Sequence, residues 1–126
     1  MKRFVLYIAM ILLLSSCENN NNIFGVYEAR YKEKGTLHYV ELFPDSTFCH
    51  VYEKDGNRNF HKGNFRLFPN GKHSYTIDFD DWKDFDKHSI EYKKRYLDGK
   101  NRKSVLLNKG QIFFDLDLYD LNFQKK

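Results

Sequence analysis

From Ile23 onward apolar and polar residues alternate with a period of two, and turn-forming residues interrupt the alternation at short intervals. Successive strand side chains point to opposite faces of a sheet, so this period prescribes strands with one buried face. The punctuation is Lys34-Gly35, Pro44-Asp45-Ser46, Asp55-Gly56-Asn57, Pro69-Asn70-Gly71, Asp98-Gly99 and Lys109-Gly110, where proline presets φ or glycine and asparagine tolerate positive φ. It predicts strands at Phe24 to Lys32, Leu37 to Phe43, Thr47 to Lys54, Asn59 to Phe68, Ser74 to Phe79, Ser89 to Tyr96, Lys103 to Leu107, Gln111 to Leu116 and Leu121 to Lys125. Eight or nine short antiparallel strands imply an all-β fold, a single small antiparallel β-barrel or barrel-like sandwich, and closure removes the edges that invite aggregation. Asp80 to His88 reads as one short helix or a loop. The phase of the alternation changes near Leu118-Tyr119, as at a bulge or bend.

The stretch before Ile23 obeys a different pattern. Lys2 and Arg3 precede an eleven-residue apolar run, Phe4 to Leu14, and then Ser15, Ser16 and Cys17, the composition of an export signal. As a helix the run measures about 16 Å, against roughly 30 Å of bilayer hydrocarbon, so a cleaved signal helix is expected rather than a spanning one. The order Leu14-Ser15-Ser16-Cys17 resembles the lipobox of bacterial lipoprotein precursors. That resemblance implies a diacylglyceryl group on the Cys17 thiol, cleavage after Ser16 and acylation of the new amine by a palmitate-like chain. Membrane lipid, through acylated Cys17, is then the first partner. The alternative is an ordinary signal whose cysteine pairs with Cys49, the only other cysteine.

The expected organisation is therefore residues 1–16 as signal peptide, 17–22 as lipidated Cys17 and polar tether, and 23–126 as the barrel domain. Lipidation leaves Cys49 an unpaired thiol, expected to be buried and inert. The tether Glu18 to Asn22 extends at most about 17 Å, which keeps the domain close to a membrane. Glu18 is not the aspartate that retains some lipoproteins in the inner membrane, so the outer membrane is favoured, with the periplasmic or outward face left open.

Removing the signal leaves 110 residues, enough for one domain with its own core. Among the aromatics only Phe4 and Tyr7 are lost with it, so the core is expected to be aromatic-rich. The 21 basic and 17 acidic residues give +4, and losing Lys2 and Arg3 lowers this to +2. So even a balance argues against a nucleic-acid partner.

Ile23-Phe24-Gly25-Val26-Tyr27, the Leu42-Phe43-Pro44-Asp45-Ser46-Thr47-Phe48 hairpin, Gly63-Asn64-Phe65 and Phe123-Gln124-Lys125 resemble small Gram-negative lipoproteins with a lipocalin-like barrel. The resemblance implies a meander barrel and transfers no binding residue; where that family often has tryptophan after the central glycine, this chain has Phe65.

Pairing the hairpins through their turns sets His38 opposite Tyr52 and Tyr52 opposite His61. One face then reads His38, Val40, Leu42, Phe48, His50, Tyr52, His61, Gly63 and Phe65, a dry floor with a histidine and tyrosine mouth. His38, His50, Tyr52 and His61 are the candidate ligand-binding residues. Three imidazoles could also hold zinc, and incidental, partly exposed histidines are the plain alternative. A one-residue slip would scatter the set over both faces. Asp78, Asp80, Asp81, Asp84 and Asp86 surround Trp82; without the glycine and glutamate of an EF-hand loop they read as a solvated acidic loop with Trp82 folded onto the barrel. Lys93, Lys94, Arg95, Lys100, Arg102 and Lys103 read either as charged hairpin tips or as contacts for anionic headgroups. No phosphate loop, zinc-protease helix or serine elbow occurs, so neither a cofactor nor an enzyme is expected. Two functions remain: a lipocalin-like module for a small molecule or peptide, and a protein-interaction subunit such as an assembly accessory or immunity protein. A cavity inside the barrel favours the first and a solid barrel with exposed aromatics the second.

Overall fold

The computed structural model describes residues 22–97, 104–114 and 121–126. The signal, Cys17, most of the tether, the Asp98-Gly99 turn with Lys100, Arg102 and Lys103, and the phase change near Leu118 lie outside the described residues. The described residues form eight strands: β1 Gly25–Ala29, β2 Thr36–Leu42, β3 Thr47–Lys54, β4 Asn57–Pro69, β5 Ser74–Phe79, β6 Ser104–Asn108, β7 Gln111–Phe113 and β8 Phe123–Lys125. Among them one helix, α1, spans Lys87–Tyr96 between β5 and β6. Neighbours in sequence are neighbours in the sheet, and β8 returns to pair with β1 antiparallel, Ala29 opposite Phe123 and Tyr27 opposite Lys125, so the meander closes into a barrel. Among the described residues no helix is long and apolar enough to cross a membrane.

The first hairpin has the expected register, with His38 opposite Tyr52. The second differs by two residues: Tyr52 faces Asn59, and His61 faces His50. The turn is tighter than expected, with Lys54 pairing Asn57 across Asp55-Gly56, whose φ angles are 53° and 82°. Positive φ at both central residues is the two-residue hairpin turn that matches strand twist, and aspartate followed by glycine suits it. A shift of two preserves facing, so all nine residues of the anticipated face remain on the inner face of the barrel.

A second difference is α1, which occupies residues expected to be a strand. Ile90, Tyr92 and Tyr96 stand at even spacing, but Asp86 caps a helix: its carboxylate accepts the Ser89 amide at 3.0 Å. Lys93, Lys94 and Arg95 in the last turn complement the carbonyl end of the helix dipole. Ser89 with Tyr92 and Lys93, three and four residues on, and Leu97, four after Lys93, all line the cleft between α1 and the barrel, which is a helical stripe rather than a strand face.

β4 holds the barrel's bend. Its residues up to Asn64 pair with β3 and those from Phe65 with β5. Gly63 stands just before the change of partner, directly opposite Phe48. A Cβ there would meet the Phe48 ring at 2.8 Å and the Asp80 carbonyl oxygen at 3.1 Å. Phe48 is fully buried in an aromatic core with Phe65, Phe79, Trp82 and Phe123, so the ring has nowhere to retreat. Gly63→Ala is expected to lower unfolding free energy by about 1–3 kcal/mol through overpacking, read by denaturant titration. An unchanged midpoint would mean the ring over Gly63 is loosely held.

Candidate functional site

The barrel interior is filled, not hollow. Tyr27, Val40, Leu42, Phe48, Phe65, Ile77, Leu107 and Ile112 are almost wholly shielded from solvent. Among the described residues, clefts open towards the two ends. One end carries the β1–β2 loop, the Asp55-Gly56 turn, the segment after β5 and α1. The other carries Asn22, the turns at Pro44-Asp45, Asn70 to His73 and Lys109-Gly110, and the last lysines.

At the α1 end, Trp82 turns back over the barrel just after Asp81, which adopts φ 54°, a conformation aspartate tolerates better than most residues. Its indole stacks on the His50 ring, centroids 4.2 Å apart and 15° from parallel, and its Nε1–H donates to Asp84 at 2.9 Å. Burial raises the Asp84 carboxyl above the usual carboxylate range, opposed by the Trp82 hydrogen bond and by Lys93, 3.5 Å away. The sequence-expected folding of Trp82 onto the barrel is thus present. Among the described residues the aspartates around it do not gather as a metal cluster: Asp86 caps α1, and Asp78 accepts the Ser104 hydroxyl.

The structure brings two of the candidate residues together. His38 Nε2 and His50 Nε2 lie 2.8 Å apart, and His50 Nδ1 lies 2.9 Å from the Lys83 carbonyl oxygen. A carbonyl only accepts, so His50 Nδ1 carries the proton. Burial holds both rings neutral, His38 lowered to about 4 and His50 to about 3. Neutral His50 must then accept at Nε2, His38 must donate from its Nε2–H, and His38 Nδ1 is left as a bare acceptor. The first added proton belongs on His38 Nδ1, which keeps every bond of the chain. A second proton on His50 Nε2 would break the link. The two nitrogens that a zinc ion would need hold a proton between them instead.

Tyr52 packs edge-on against His38, centroids 5.1 Å apart, and lines a second small cleft with Glu33, Thr36 and His88. His38 and Asp86 belong to both clefts and part them. His61 stands apart: its Nε2 is buried without a hydrogen-bond partner, 3.8 Å from Asp81. The main cleft encloses about 30 Å³ between α1 and the barrel, with Trp82, Phe114, Leu121 and Phe123 as apolar wall and Asp84, Tyr92 and Lys93 as polar rim. A water needs roughly 10–15 Å³ by this measure, so the enclosed part takes two or three. Trp82, Asp84, Tyr92 and Lys93 were not among the candidates; the three-four spacing from Ser89 and the lone tryptophan were the available signals. Cys49 lies on the outer face of β3 opposite Glu41 and Lys62, half-buried and free, its thiol pushed up by burial, so it is less enclosed than expected.

The proton order is directly observable. At neutral pH, imidazole nitrogen shifts should report His50 as the Nδ1–H and His38 as the Nε2–H tautomer; the reverse at His38 would dismantle the chain. Both rings titrate lower folded than the ordinary 6.5, so the unfolded chain binds more protons between those values. Stability should therefore be complete above about pH 6.5 and fall as pH drops towards about 4 and then 3. Asp84, raised, acts in the opposite sense. Melting temperature followed over pH should lose part of its acid slope in His38→Phe with His50→Phe, and an unaltered slope would exclude the pair as its source. Comparison with protein-family models, with curated proteins and with solved structures finds no match to this chain, so the site is interpreted from its own geometry.

Proposed function

We propose that this chain is a lipid-anchored binding module of the bacterial cell envelope, held in the outer membrane through acylated Cys17, with its site in the cleft at the α1 end. The ligand is a small molecule or a peptide side chain that enters at the mouth; the filled interior leaves no deep calyx for it. The observation that carries the reading is the acceptor at His38 Nδ1, whose proton state is dictated by the Lys83 carbonyl through His50. Such an acceptor selects a ligand that offers a hydrogen-bond donor, and Trp82 and Phe123 supply an apolar wall beside it. Recognition suits the pair better than catalysis, because general acid–base work favours groups that titrate near the working pH. The entry to β1 fits the same reading, since Asn22 lies at the opposite end of the barrel beside Lys109 and Gly110.

A second reading, a protein-interaction subunit, draws on the solid interior and on Tyr31, Phe60, Ile90 and Tyr96, large side chains exposed towards this same end. A fragment set of indoles, phenols and anilines, followed by NMR at the Trp82 indole and the His38 and His50 rings, separates the two. Binders should move those signals in the native chain and lose about tenfold in affinity in His38→Phe, the scale of one hydrogen bond. Silence at these rings, together with a stoichiometric protein partner from detergent-solubilised membranes, would select the second reading.

A further inference from the structure

The barrel end remote from α1 has a different chemistry. Its turns and last strand carry Lys72, Lys109, Lys125 and Lys126. The carboxylate in its turns is Asp45, which is engaged with Thr47; Lys126 is paired with Glu28, and Lys125 bonds the Asn22 carbonyl. At the α1 end, by contrast, cations interleave with acids and pair with them, as in Lys54–Glu33, Lys93–Asp84 and Lys87–Glu91. Apolar surface accompanies the lysines: Phe68, beside Pro69 at the end of β4, is 47% exposed. A cavity of about 150 Å³ also opens here, with Tyr27, Tyr75 and Leu107 in its lining and Lys109 and Asn22 beside them.

We infer that this end of the barrel is a contact surface for anionic phospholipid. The inference rests on the lipid-anchor part of the proposed function, because the tether reaches the barrel at this end. Cations meeting lipid phosphates around apolar side chains are the composition an interfacial surface requires. Reach decides between the two basic ends. The tether spans at most about 17 Å, and it delivers the Asn22 end to the bilayer. The eight residues of β3 set the other end off by about 26 Å of strand, so Lys93, Lys94 and Arg95 are held away from the headgroups that their composition alone suggested.

Among the described residues the strand pairing lies between Gly25 and Lys125, so a soluble chain from Glu18 onward retains each of these ladders of the barrel. Its sedimentation with phosphatidylglycerol–phosphatidylethanolamine vesicles, against phosphatidylcholine vesicles, is the test. Binding should favour the anionic vesicles and fall in high salt, where screening is short-ranged. Lys72→Glu with Lys109→Glu should lower partitioning at least about tenfold, Phe68→Ser should lower it at unchanged melting temperature, and Lys94→Glu with Arg95→Glu should leave it unaltered. Equal binding to phosphatidylcholine, or an equal loss from the α1-end pair, overturns the inference. Release of the bound protein by soluble glycerol phosphate would assign the site to a free anion and overturn it too. Palmitate labelling of the full chain is scored separately: uptake lost in Cys17→Ala but without vesicle preference refutes the surface and keeps the anchor, and vesicle preference without uptake does the reverse.

Discussion

The antiparallel pairing of β1 with β8 is the constraint on which everything else depends. β8 contributes only three residues, yet Phe123, Gln124 and Lys125 meet Ala29, Glu28 and Tyr27 and leave the sheet without a free edge. Closure gives the barrel an inside, and the inside is then filled by rings. Phe123 is where the two facts join, since it closes the ladder and touches His38, His50, Trp82 and Phe114. An eight-stranded barrel is just wide enough to be filled by side chains or to hold one small ligand, and the described residues fill this one with rings and aliphatic chains. The clefts at its ends are what remains open.

Two buried imidazoles are an expensive thing to place in such a core. Their ionisation would cost more than the site can return, so both are neutral, and the Lys83 carbonyl determines how their protons are arranged. The Trp82 indole covers one face of the His50 ring, and the Asp84–Lys93 pair ties α1 to the same loop. α1 itself buries no residue completely. It meets the barrel across the cleft it covers, with Ser89, Tyr92, Lys93 and Leu97 in the lining.

The two ends of the barrel divide the remaining chemistry between them. The meander of eight strands brings Asn22, the last lysines and the larger cleft to one end, and α1, Trp82 and the histidines to the other. The histidine and Trp82 cleft thus lies at the far end of the barrel from Asn22. An odd number of strands before closure would have put the last lysines with the histidines.

Which residues face inward was legible in the sequence, because period two is a local property of the backbone and survives any even change of register. That is why His38, Val40, Leu42, Phe48, His50, Tyr52, His61, Gly63 and Phe65 share one face although the second hairpin closes two residues tighter than anticipated. The turn residues, the strand boundaries of β3 and β5 and the aromatic character of the core were legible for the same local reason. Contacts between elements were not. Whether residues 87–96 form helix or strand turned on the Asp86 cap and the cleft beneath α1, and short apolar patterns are ambiguous without such partners. That His50 meets His38 and Lys83 rather than joining His61, and that Trp82 fills the mouth, depend on where separate strands and loops arrive in space. The sequence by itself determined the faces and the turns; only the tertiary structure decided which of the inward side chains touch, because contact depends on distances that no local period encodes.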